Sequence, residues 1–184
     1  SRLWSERQLF DSTRLYQINT NMIHKVNIKS QITKELVDDI LIDALKTRHK
    51  QFYNFEVFTK HKEKLYNIFI RESRYILNKF TLKDEDFKLW CYYTDHTFHK
   101  GDTWHNHIDT STINGVFYLK TVKNKGIEFE NNGDRAYVEP IDYDLLIFPS
   151  YLNHRPLNSK SETRISLNME LRCNESVYEV FSER

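Results

Sequence analysis

"RISLNMEL", residues 164 to 171, alternates without a break, with Ile165, Leu167, Met169 and Leu171 on one side and Arg164, Ser166, Asn168 and Glu170 on the other. Period-two alternation marks a strand with one apolar and one polar face. The polar face has two physical explanations. In an open sandwich it is the solvated outer side. If helices cover the apolar side instead, it lines the interior of a small barrel and makes a polar pocket. The period fits both.

Other stretches share this character. "KLWCYY" (88 to 93), "INGVFYLK" (113 to 120), "GIEFE" (126 to 130) and "DLLIFP" (144 to 149) are short apolar or alternating runs separated by turn residues, as strands are. In the second run Ile113, Gly115, Phe117 and Leu119 oppose Asn114, Val116, Tyr118 and Lys120, so a half-polar stripe recurs. Many short strands with long-range returns predict a sandwich or jelly roll. Ahead of them the period is helical. In "ITKELVDDILIDALKTRHK" (32 to 50) Thr33 can cap, Ile32 and Val37 occupy the two positions of a hydrophobic staple, and Leu36, Ile40, Leu41, Ala44 and Leu45 recur at helical spacing. A second helix is expected over residues 61 to 80, on Leu65, Ile68, Phe69, Ile76 and Phe80. The expected fold is mostly β with supporting helices. It forms one domain, 1–184, divided into a helical support and N-terminal segment (1–85), a strand-rich core (86–174) and a C-terminal tail (175–184).

Composition agrees with a single globular unit. The chain has 184 residues, 29% charged and 14% aromatic, with four Gly and three Pro, which is neither disordered nor low-complexity. Its formal net charge is +1, so no overall field draws it to a polyanion, and nucleic acid is not expected as a partner. Cys91 and Cys173 are the two cysteines. No apolar run approaches the roughly 20 residues of a membrane span, and the first residues lack a charged-then-apolar signal pattern. The expectation is a cytoplasmic, disulfide-free protein without a membrane partner.

Metal-type residues cluster in "DTWHNHIDTSTINGVFYLK" (102 to 120). Two imidazoles and one carboxylate on one face of an iron(II) ion leave the opposite positions open for cosubstrate and oxygen. His107-Ile108-Asp109 is the one His-x-Asp of the chain, and His154 follows the buried-looking run "DLLIFPSYLNH". Arg164 opens a strand ten residues later, where a guanidinium can hold a dicarboxylic acid by a bidentate pair, with Ser166 on the same face. Other polar residues read more plainly. His24, His49 and His61 are expected at the surface, Asp102 in a turn, and Trp104 as a core or rim aromatic. His96, His99, His105 and His107 suggest tetrahedral zinc, but no Cys lies nearby. His105 is expected in the second shell or at the site mouth, on the same side as His107 if the strand is regular. Trp104, Tyr92 and Asn114 are candidates for the same surroundings.

The set resembles the iron(II) and 2-oxoglutarate dependent oxygenases, and within them is most similar to a small group found in phages and marine bacteria. The pattern H-x-[DH], G-V-x-Y, F-P-S-x-L-x-H, R-I-S is matched by His107-Ile108-Asp109, Gly115-Val116-Phe117-Tyr118, Phe148-Pro149-Ser150-Tyr151-Leu152-Asn153-His154 and Arg164-Ile165-Ser166. The resemblance covers about residues 88 to 171. It implies a double-stranded β-helix, or jelly roll, with His107, Asp109 and His154 as iron ligands. Arg164 would pair with the distal carboxylate of 2-oxoglutarate, helped by Ser166 and Tyr118. The activity implied consumes O2 and 2-oxoglutarate, releases succinate and CO2, and hydroxylates a C–H bond of a peptidyl (for example prolyl) or small-molecule substrate, in the host cytoplasm if the protein is phage-encoded. The group often has a second His where this chain has Asp109, and Tyr143 stands where a Gly commonly precedes the "LLIFP" strand. "QFYNFEVF" (51 to 58) and "YTDHTFHKGDTW" (93 to 104) are candidates for covering the pocket mouth. Three alternatives stand beside this reading. A nucleic-acid demethylase of the same superfamily carries a second Arg six residues after the cosubstrate Arg, where this chain has Glu170. A non-enzymatic metal-binding jelly-roll module has no chemical need for these residues in this order. A zinc-binding structural domain is the third.

Overall fold

The first amphipathic stretch forms helix α1 (Lys34–Lys46) in a computed structural model that describes residues 22–46, 56–77, 84–94, 103–157, 163–173 and 181, with only the backbone at 43–46, 56–59 and 84–94. His49, Phe80, His96, His99 and Asp102 lie outside the described residues. The Leu36 amide donates to Thr33 Oγ1 at 3.3 Å, so Thr33 satisfies one of the amides that a helix start leaves without a partner. Helix α2 (Glu56–Ser73) begins and ends earlier than its apolar period predicts. Its last residue turns its hydroxyl back onto the Phe69 carbonyl at 2.7 Å, and the Ile76 and Leu77 amides then close a turn on the Ser73 carbonyl. Ile76 therefore packs from that turn rather than from the helix.

The strands are β1 (His24–Asn27), β2 (Asp84–Thr94), β3 (Ile113–Lys120), β4 (Ile127–Asn131), β5 (Asp134–Val138), β6 (Asp144–Pro149), β7 (Asn153–Pro156) and β8 (Arg164–Cys173). They form a five-stranded sheet in the order β1-β6-β3-β8-β2 and a three-stranded sheet in the order β5-β4-β7, and every pairing is antiparallel. β1, β5 and β7 are strands that the sequence reading does not anticipate. The β4–β5 connection is the two-residue turn Asn132-Gly133, with φ of 53° and 91°, which suits the right-handed twist of a tight hairpin.

The central strands β3, β6 and β8 of the five-stranded sheet are buried on both sides. The sheet's outer face packs Phe117, Ile147, Leu167 and Met169 against Leu36 and Ile40 of α1 and Leu65 and Phe69 of α2. Gly115 lies under α2, and a side chain there would run into the Phe69 ring. The inner face packs Val116, Tyr118, Leu146 and Phe148 against Ile127 and Phe129 of the smaller sheet. Helices thus cover the apolar side of β8, and its polar side points inward. Arg164, Ser166 and Glu170 are 2%, 4% and 4% exposed, which decides between the two readings of the alternation in favour of a polar interior.

Tyr143 enters β6 at φ 72°. This left-handed geometry is the physical reason a glycine suits the position. Tyr143 is held there by main-chain bonds, its amide to the Tyr118 carbonyl at 2.7 Å and its carbonyl from the Ile28 amide at 3.0 Å.

Candidate metal centre

The segment before β3 brings three imidazoles together. His105 and His154 face each other across an isolated antiparallel bridge. Their main chains exchange both hydrogen bonds, at 3.1 and 2.8 Å, which places the two side chains next to each other. Their ring centroids are 4.4 Å apart. His107, two residues after His105, projects to the same side, with its ring 5.2 Å from each of the other two. One ring nitrogen from each of His105, His107 and His154 lies within 4.8 Å of the others.

The opposite ring edges are fixed. His105 Nδ1 is 3.0 Å from the Thr103 carbonyl, His154 Nδ1 is 3.0 Å from the Leu152 carbonyl, and His107 Nδ1 is 2.8 Å from Glu170 Oε1. At His105 and His154 the carbonyl beside Nδ1 selects the tautomer protonated there and leaves the lone pair on Nε2, one of the two nitrogens through which a histidine binds a metal. Burial pushes the His154 imidazole down to about 3, and the neighbouring His105 and His107 add to this while the Leu152 carbonyl opposes it. His154 is therefore a neutral donor across the physiological range. Three imidazoles with convergent nitrogens fit a divalent transition metal.

Asp109 is exposed and is not a member of this group. The cause is local. Residues two apart share a side only while the backbone is extended, and the chain leaves that geometry at His107, whose carbonyl accepts the Thr110 and Ser111 amides at 3.0 and 2.9 Å. The pair on one side is thus His105-x-His107, two residues earlier than His107-x-Asp109.

The cosubstrate candidates share the interior. Ser166 stands opposite Tyr118 of β3 and Tyr92 of β2. Burial raises the Tyr118 hydroxyl to about 12 against the pull of the Arg164 guanidinium, so Tyr118 stays protonated and can donate. Arg164 Nη1 donates to the carbonyls of Lys125 and Leu157 at 3.3 and 3.1 Å, while its Nε is buried without a partner. Asn114 Nδ2, Ser150 Oγ and Glu170 Oε1 are buried in the same condition, Oε1 meeting His107 Nδ1 at ion-pair distance but without hydrogen-bond geometry. Such atoms cost about 1–3 kcal/mol each unless something satisfies them. Trp104 is half-buried, with the Arg155 and Arg135 guanidinium carbons 4.7 and 5.4 Å from its ring centroid. Glu170 is the site residue that the sequence reading places on the right face but gives no role. Its signal was a charged residue on the polar side of a core strand.

No protein-family model and no curated protein matches the sequence. Solved structures do match. A prolyl-4-hydroxylase from Pseudomonas putida aligns over 85% of this chain and 95% of its own, with a TM-score of 0.59 at 14% identity. The fold is shared with prolyl hydroxylases. A prolyl hydroxylase from Trichoplax adhaerens, solved with a hypoxia inducible factor peptide fragment, aligns over 92% and 91% with a TM-score of 0.59 at 14% identity. The viral collagen prolyl hydroxylase of Paramecium Bursaria Chlorella virus-1 aligns over 88% and 96%, with a TM-score of 0.56 at 16% identity. Among the described residues no helix is long and apolar enough to cross a membrane.

Proposed function

We propose that the protein is an iron(II) and 2-oxoglutarate dependent dioxygenase whose single domain is built on a double-stranded β-helix. The observation that carries the reading is the inner face of β8. On one strand face it holds a buried guanidinium with an unpartnered Nε and a buried carboxylate against a histidine of the three-nitrogen cluster. A buried cation with spare donors suits a dianionic ligand, and a shielded nitrogen cluster suits the metal that such a ligand chelates.

His105, His107 and His154 would hold the iron, with Asp109 outside the ligand set. Iron with 2-oxoglutarate and O2 would supply an oxidant for a C–H bond, with succinate and CO2 as coproducts. This chain's residues do the rest. Arg164 holds the distal carboxylate by a planar fork, and Ser166 and Tyr118 offer hydroxyls beside it. Phe129 and Phe148, whose rings lie 6.1 and 4.9 Å from His154, keep water from that side of the centre.

The reading extends to a peptidyl substrate, for example prolyl, with a small molecule as the alternative. Three structures of the same fold are prolyl hydroxylases, one with a peptide bound, which supports the peptidyl choice. The net charge of only +1 and Glu170, six residues after Arg164, favour neither nucleic acid nor a demethylase.

Anaerobic addition of 2-oxoglutarate to the iron(II)-loaded protein tests the reading. A visible charge-transfer band, followed by succinate when oxygen is admitted, is expected. Iron bound with neither band nor succinate overturns it in favour of a binding module, and a protein that takes zinc but not iron overturns it in favour of a zinc domain.

A further inference from the structure

His107 differs from its two neighbours in one respect. The Nδ1 atoms of His105 and His154 meet main-chain carbonyls two residues before them, whereas His107 Nδ1 meets a carboxylate, Glu170 Oε1, at 2.8 Å. That carboxylate is 4% exposed. A buried carboxylate is costly without a partner, and an apolar residue at this point of β8 would extend the core between the sheets at no such cost. Asn114 of β3 and Lys88 of β2 stand opposite Glu170 in register.

The rest of His107 is fixed just as closely. Its amide donates to the Ser150 carbonyl at 2.9 Å. Its carbonyl accepts the Ser111 hydroxyl at 3.3 Å, and that hydroxyl lies 2.5 Å from Asn114 Oδ1. Main chain and ring are therefore held from two sides, by the Ser111–Asn114 pair and by Glu170.

We propose that Glu170 is a positioning residue for the metal centre, which fixes the tautomer and orientation of His107 and returns, one bond removed, the negative charge that a three-histidine ligand set lacks. The inference rests on the metal-centre reading above and deepens it. A carboxylate accepting from Nδ1–H makes the far nitrogen a stronger donor, and loss of such a partner typically weakens metal binding about 10- to 100-fold. Glu170→Gln keeps shape and an acceptor oxygen but removes charge, whereas Glu170→Ala removes both.

Two measurements test this, on the metal-free and on the cobalt(II)-loaded full chain. In the metal-free protein, nitrogen-15 NMR of the histidine rings is expected to show His107 protonated at Nδ1 in the wild type and in Glu170→Gln, and as a tautomer mixture in Glu170→Ala. A cobalt(II) titration is expected to show binding weakened about 10-fold by Glu170→Gln and about 100-fold by Glu170→Ala. In a His107→Ala background Glu170→Gln should change cobalt affinity by less than about 2-fold, because the coupling runs through the ring. A purely structural Glu170, acting through Lys88 or Asn114, would leave the tautomer alone and weaken cobalt binding equally in both backgrounds, which overturns the proposal. Unchanged cobalt affinity in both Glu170 variants also overturns it while leaving the metal centre standing. A wild-type protein that binds no cobalt(II) overturns the centre itself, and this inference with it.

Discussion

β8 presents two chemically opposite faces, and apart from the half-buried Asn168 the residues of both from Arg164 to Leu171 are buried. Ile165, Leu167, Met169 and Leu171 sit under the helices, and Arg164, Ser166 and Glu170 sit between the sheets, all at 6% exposure or less. Burial therefore does not separate scaffold from site in this protein. Polarity at equal burial does. The outer face contributes through apolar contact with α1 and α2. The inner face holds polar atoms away from water, and Arg164 Nε, Asn114 Nδ2 and Ser150 Oγ have no protein partner there, the condition in which a ligand gains most by binding.

The contrast breaks if outer-face and inner-face substitutions behave alike. Phe117 is fully buried on the outer face of β3, and Phe117→Ala is expected to lower stability by about 3–5 kcal/mol in chemical denaturation, through the lost transfer energy and the cavity left behind. Arg164→Ala should instead weaken 2-oxoglutarate binding by about 2–4 kcal/mol, roughly 30- to 1000-fold in a titration of the iron-loaded protein, with iron affinity little changed. Lys at 164 should recover only part of that loss, because an ammonium lacks the planar fork. Unchanged cosubstrate affinity in Arg164→Ala would also remove Ser166 and Tyr118 from the pocket.

Smaller changes sharpen the same division. Tyr118→Phe is expected to cost about 3- to 10-fold in 2-oxoglutarate affinity, the worth of one neutral hydrogen bond, with stability nearly kept because the ring remains. Thr33→Ala removes the α1 cap and should lower stability by about 1 kcal/mol, with no effect on cosubstrate binding.

What could be read from the chain follows the same physics. β3, β6 and β8 are legible because their runs have a clear period and buried partners. β5 ("DRAYV") and β7 ("NHRP") are short, polar and half exposed, and β1 ("HKVN") alternates between exposed and half-buried residues. Their strand character comes from the partner they pair with, which local sequence does not encode. The Asn132-Gly133 turn is the one local signal for the β4–β5 hairpin. In the site, His107, His154, Arg164 and Ser166 all fall on the interior or its rim. Asp109 does not join them because the run Asp109-Thr110-Ser111 is turn chemistry, and the two-residue rule that holds from 105 to 107 stops at 107. Local sequence puts His105 at the site mouth or behind the ligands, and the bridge to His154 that makes it a candidate ligand is a long-range pairing.

The ligand set is the central claim, and iron(II) affinity in two variants tests it most directly. Anaerobic titration of His105→Ala should show iron binding lost or weakened by more than about 100-fold, since two remaining imidazoles hold a divalent ion poorly. Asp109→Ala should bind within about 3-fold of the wild type, as expected of an exposed carboxylate away from the metal. The reverse result, with His105→Ala binding normally and Asp109→Ala failing, would contradict the three-histidine centre and return the third position to Asp109.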